Sequence, residues 1–240
     1  MTGKILLTSA LLFTSLFADV NFNDKNTIDK LGLAGLKDSI KTVNKQNAGE
    51  WYLYRARKSI YDKTVNDEFE YDDAWNQSYT MLTNKITEYQ SLIGQTSTVN
   101  LGASFKKYDF KNKRFPLDAM TVRSYLSFTG TEKIIDSGRS NGLRLSFDNI
   151  NLDYNFVPME KSSAKLFIKK RKNKYGDVDR GLTAKYTFII KSIETPTKDL
   201  NQCVKDSNCY SINKPKLIGH ITKMDIIDNN GDILKSYDYK

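Results

Sequence analysis

The chain has 240 residues, 39% of them hydrophobic and 12% aromatic, enough for a folded core and unlike a disordered polymer. Lysine and arginine outnumber aspartate and glutamate by 37 to 28, and the resulting net charge of +9 favours anionic partners. A single histidine and two cysteines leave a thin inventory for metal-centred or nucleophilic chemistry.

The first element in chain order reads as an export signal. Lys4 precedes an apolar run over residues 5–17, broken only by small hydroxyls, and the run ends at Ala18 before the polar residues 19–24. Charge, apolar core and small residue follow in the order of a secretory signal peptide. The run is well short of the roughly 20 residues that span a membrane core. Residues 1–18 are therefore expected to be removed, with the mature chain starting at Asp19 in the periplasm or outside the cell and carrying no transmembrane span. Export disfavours nucleic acid as a partner. It favours an envelope protein or an anionic glycan or lipid surface.

Helical spacing dominates the next third. Ile28, Leu31, Leu33, Leu36, Ile40 and Val43 predict a helix over 27–43, weakened by Gly32 and Gly35 at about 1 kcal/mol each. A second helix is predicted over 50–61, where Trp51, Tyr52, Leu53 and Tyr54 suit core packing better than a sugar platform. The third, over 67–93, carries Phe69, Trp75, Tyr79, Leu82, Ile86 and Tyr89 on one face and stops at Gly94. Glu68, Glu70, Asp72 and Asp73 crowd its start, where the positive end of the helix dipole stabilises them.

After Gly94 the period becomes two. Strands are predicted over 143–147, 150–156, 164–170 and 182–193, the last two joined as a hairpin by the polar loop 172–181. Residues 218–227 and 233–239 flank Asn230-Gly231, a preferred hairpin turn. The predicted fold class is α+β, with N-terminal helices packed on an antiparallel, sandwich-like β-sheet region. The expected organisation is a signal at 1–18, a helical layer over 19–95 and an antiparallel β region over 96–240, with 19–240 one compact unit.

Few residues invite chemistry. Cys203 and Cys209 lie close together in a polar segment, and export predicts a structural disulfide between them, worth about 2.4 kcal/mol by chain entropy. His220 falls in a predicted strand without a nucleophile motif. Ser140, between Gly138 and Gly142, matches G-x-S-x-G only formally, in a polar turn. Asp228, Asn230 and Asp232 alternate as calcium ligands do, yet Ile233 and Tyr239 stand where an EF-hand needs glycine and glutamate. No catalytic residue, metal or cofactor is expected. Two basic stretches form the candidate patch for an anionic partner. Lys106, Lys107, Lys113 and Arg114 are interleaved with Tyr108, Phe110 and Phe115, and Lys169, Lys170, Arg171 and Lys172 follow later.

The run Lys107-Tyr108-Asp109-Phe110, then Phe115-Pro116-Leu117, then Pro158-Met159, Ala164 and Arg171 resembles the pattern of a family of uncharacterised exported bacterial proteins of unknown function. The resemblance spans roughly residues 100–190. It implies a bacterial envelope protein and carries over neither an activity nor a functional residue. The resulting expectation is a non-catalytic binding or interaction protein of the bacterial cell envelope that prefers anionic partners. The alternative is a carboxylate-dependent hydrolase acting on cell-wall glycans, and a third class is a surface-structural protein.

Overall fold

The computed structural model describes residues 20–22, 24–118, 124–128, 143–194 and 215–239. The predicted signal segment, the Gly138–Gly142 stretch and both Cys203 and Cys209 lie outside the described residues.

After the short strand β1 (Val20–Asn21) come four helices: α1 (Lys25–Ala34), α2 (Lys45–Ala56), α3 (Lys58–Thr64) and α4 (Glu68–Tyr89). Side-chain caps set three of the starts. Asp24 accepts the Asn26 N–H at 3.0 Å, Asn44 that of Asn47 at 3.2 Å, and Asp67 those of Phe69 and Glu70, both at 3.0 Å. The helix predicted over 27–43 is interrupted at Gly35, whose N–H closes on the Leu31 carbonyl, and the chain resumes as a 3-10 turn at Ser39–Thr42. The helix predicted over 50–61 is divided between α2 and α3 at Arg57.

The strands are β1 (Val20–Asn21), β2 (Thr96–Phe105), β3 (Arg114–Asp118), β4 (Leu126–Phe128), β5 (Leu143–Phe147), β6 (Phe156–Pro158), β7 (Gly181–Glu194), β8 (Lys216–Ile227) and β9 (Ile233–Asp238). They form one sheet in the order β4-β5-β8-β7-β2-β3-β6, with β1 added to β2 and β9 to β8. Most neighbours are antiparallel, but β1–β2 and β5–β8 run parallel. The fold class is α+β.

Two predicted strands are corrected. Residues 164–170 belong to α5 (Lys161–Lys170), so the loop over 172–181 joins a helix to β7 and makes no hairpin. Ala164, Phe167 and Ile168 recur at the helical steps of three and four and turn to the core, whereas Leu166 is 60% exposed. Residues 150–156 form a 3-10 turn at Leu152–Tyr154 ahead of the short β6, because the Asn151 side chain accepts the Asp153 N–H at 2.9 Å and bends the chain. Strand β2 lies where no strand is predicted. Its inward residues include the small Ser97 and Ala103, which dilute the apolar alternation.

Two cores result. Phe105, Phe115, Leu145, Phe188, Leu217 and Met224 belong to the larger one, against the sheet. Leu36, Ala48, Trp51, Tyr52, Leu82 and Ile86 belong to the smaller one, among the helices, so Trp51 and Tyr52 are packing residues. Helix α1 supplies Ile28 and Leu31 to the first core and Leu33 to the second. At the other side β9 meets β6: the Tyr237 hydroxyl donates to the Phe156 carbonyl at 2.6 Å, and Tyr154 stacks on the Tyr237 ring at 4.8 Å.

Two outcomes are expected from these contacts. A Cβ on Gly49 would stand 3.0 Å from Trp75 Cε3 and closer still to the Trp75 carbonyl oxygen, where α2 crosses α4. Overpacking of about 1–3 kcal/mol, less the roughly 1 kcal/mol helical preference of alanine, leaves Gly49→Ala destabilised by about 1 kcal/mol, and by no more than about 2, in urea denaturation. Burial pushes the Tyr237 phenol up to about 12 from 10.0. The charged form is therefore disfavoured in the folded chain. The contribution is complete below pH 10 and fades as pH climbs from 10 through about 12. Tyr237→Phe should flatten that part of the stability-against-pH curve.

Candidate functional site

The connection between β2 and β3 is a tight turn built by Asp109. Its carboxylate accepts the Asn112 side-chain amide at 2.7 Å and the N–H groups of Asn112 and Lys111 at 3.1 and 3.0 Å. Those bonds, the Asn112 side chain foremost, hold the Asp109 carboxyl below the ordinary carboxylate range. Lys113 completes the turn in the left-handed region at φ 49°. The turn presents Phe110 at its tip, 70% exposed.

A second segment fastens to this turn. The Tyr108 hydroxyl donates to the Met159 carbonyl at 2.7 Å, and the Met159 N–H donates to the Lys113 carbonyl at 2.9 Å. β3 pairs with β6, placing Arg114 opposite Pro158 and Phe115 opposite Val157. Helix α5 starts three residues after Pro158 and lies over the aromatic side chains. The rings touch in series: Phe110–Tyr108 at 5.0 Å, Tyr108–Phe115 at 5.0 Å, Phe115–Phe167 at 5.6 Å and Phe105–Phe167 at 5.3 Å. The residues that carry the family resemblance thus meet around one place in the fold.

Between the turn and α5 runs a groove of about 530 Å³. Tyr108, Phe110, Phe115 and Ile168 give it an apolar floor, and Lys161, Lys165, Lys169 and Lys172 stand along its rim. No carboxylate belongs to its lining. The opposite side of α5 borders a polar groove of about 600 Å³ whose lining includes Lys170, Asp179, Asp228 and Asp232. There Asp228 accepts the N–H groups of Asn230 at 2.8 Å and Asp232 at 3.0 Å, so its alternation with Asp232 serves the hairpin turn. Among the described residues no cluster of histidine, cysteine, aspartate and glutamate is arranged to hold a metal ion.

The predicted basic residues separate by role. Lys169 and Lys172 border the apolar groove, and Lys170 the polar one. Lys106 and Lys107 follow β2 and are exposed. Lys113 pairs with Glu160 at 3.1 Å. The two arginines are structural. Arg114 stacks on Phe156 at 4.7 Å, and Arg171 stacks on Phe167 at 4.6 Å while donating to the Gly181 carbonyl at 2.8 Å. Lys161 and Lys165 are rim residues that the sequence reading missed. The four-residue steps from Lys161 to Lys165 and from Lys165 to Lys169 are the helical signal that a strand assignment conceals.

His220 sits on β8 with Nδ1 2.8 Å from Asp148 Oδ1 and Nε2 3.4 Å from Asn149 Nδ2. The Asn149 amide is itself bonded to the Ile221 backbone in both directions at 2.8 Å. Among the described residues no hydroxyl bonds to His220, whose ring partners there are Asp148 and Asn149.

The sequence model of one family, a domain of unknown function (DUF4852), matches residues 45–170. The matched stretch runs from the first residue of α2 to the last residue of α5 and contains both walls of the apolar groove apart from Lys172. No curated protein and no solved structure matches the chain.

The left-handed Lys113 generates a stability test. An L-residue there costs about 1 kcal/mol, and the exposed pair with Glu160 returns little. Lys113→Gly should raise Tm by about 2 °C or more in a calorimetric scan. A lower Tm would mean that the ion pair outweighs the backbone.

Proposed function

This chain belongs to the DUF4852 family of unknown function, and we propose that it is a non-catalytic binding protein for an anionic partner, acting in the bacterial cell envelope. One observation carries the reading: four lysines of one segment, Lys161, Lys165, Lys169 and Lys172, stand on the rim of an apolar-floored groove with no carboxylate in its lining. Like charges around a concave, low-dielectric surface focus their potential outward and raise the local concentration of anions. The envelope location rests on the signal-like N-terminal residues. In the polar groove, Asp179 is engaged in structure, accepting from the Gly181 N–H at 2.9 Å and from Asn229 at 2.5 Å.

In-cell crosslinking of the tagged full chain, followed by fractionation and mass spectrometry, tests this reading. The expected result is one dominant anionic envelope component, whose recovery falls as salt is raised across the physiological range. Release of soluble fragments from purified cell wall at enzyme-like rates would overturn it in favour of a carboxylate-dependent hydrolase.

A further inference from the structure

We propose that the groove between α5 and the β2–β3 turn binds a single-chain amphiphile with an anionic head, the chain lying on the aromatic floor and the head held by Lys165 and Lys169. This names the ligand class of the binding reading above and rests on it.

The rim is arranged against the stability of its own helix. Lys161, Lys165 and Lys169 follow one another at four-residue steps, and like charges so spaced repel. Lys161 also occupies the first residue of α5, at the positive end of the helix dipole, and the carboxylate at that end, the N-cap Glu160, is paired with Lys113 at 3.1 Å. Among the described residues no ion pair neutralises Lys161, Lys165 or Lys169. Like charges on successive turns of one helix face, without ion-pair partners and beside a cavity, mark a place where a ligand supplies the missing charge.

The floor sets the other half of the ligand. Tyr108, Phe115 and Ile168 offer no charged group, and Phe110 leaves most of a phenyl ring in water with the Lys161 Nζ 5.8 Å from its centroid. A free inorganic anion would leave that apolar surface wet, and a neutral lipid would leave the lysines unpaired. An amphiphile satisfies both. The groove volume of about 530 Å³ falls within the range of sites for single small molecules, roughly 300–1,000 Å³.

The test is calorimetric titration of the full chain with dodecyl phosphate below its micelle concentration. Saturable one-to-one binding is expected. Lys165→Glu should weaken it by about tenfold or more through loss of a charge-assisted hydrogen bond. The same variant should melt higher than the parent, because its new carboxylate sits between Lys161 and Lys169. Phe110→Ser should weaken binding with little change in Tm, since the ring is exposed. Lys170→Glu, on the polar side of the helix, should bind as the parent does. Equal affinity for dodecyltrimethylammonium, equal affinity for inorganic phosphate, or unchanged binding by Lys165→Glu would each overturn the inference. Absence of dodecyl phosphate binding, with phosphatidylglycerol vesicles still retaining the protein, would overturn the amphiphile and leave the anionic-partner reading standing. Failure of both ligands, with nothing recovered by crosslinking, would remove both.

Discussion

Strands β7 and β8 lie side by side from the Thr183–Ile227 pair to the Glu194–Lys216 pair, and the rest of the sheet hangs on that ladder. β8 is long enough to take two partners in succession on its other edge. β5 runs parallel to its first residues, and β9 returns antiparallel along its last ones. β7 hands its free edge to β2, which in turn carries β1 and β3. The ladder depends on close approach at Gly219, where a Cβ would come within 2.7 Å of the Phe188 ring and 2.9 Å of the Phe147 ring. Two buried aromatic side chains occupy the space that a larger residue would need.

Both walls of the apolar groove are referenced to the first residues of β7. On one side the Phe105 N–H donates to the Arg180 carbonyl at 3.1 Å, and the Arg180 guanidinium returns a bond to the Lys106 carbonyl at 3.0 Å. On the other, Arg171 at the end of α5 reaches the Gly181 carbonyl. The aromatic floor and the lysine rim are thus positioned from one short piece of backbone, 171–181, that contributes only Lys172 to the groove. A site whose walls share an anchor keeps its width when either wall fluctuates, which is how pre-organisation lowers the ordering cost of binding.

The elements legible in the sequence were those whose signals are local. α4 carries its period and an aspartate cap within its own residues, and the β8–β9 hairpin is specified by Asn230-Gly231, with Gly231 at φ 91°. α5 was obscured by Leu166-Phe167-Ile168, a contiguous apolar run bounded by polar residues, which suits a strand as well as a helix. The exposed Leu166 breaks the ambiguity only once the structure is known. The basic stretches were visible as composition, but the aromatic groove that the second of them borders depends on the pairing of β3 with β6, which no local pattern announces. Charge alone also could not sort the arginines from the lysines. Arg114 and Arg171 lay their guanidinium planes on rings, a role that rests on neighbours distant in sequence.

α1 remains the seam between the two cores, giving Ile28 and Leu31 to one and Leu33 to the other across ten residues. A rigid rod inserted in two packed interiors transmits the loosening of either, because side chains on one helix cannot leave one core while the backbone stays fixed for the other. The helical and sheet layers are therefore joined through α1 by packing as well as by the chain. The groove, to which α1–α4 contribute no lining residue, lies wholly on the sheet side of that seam.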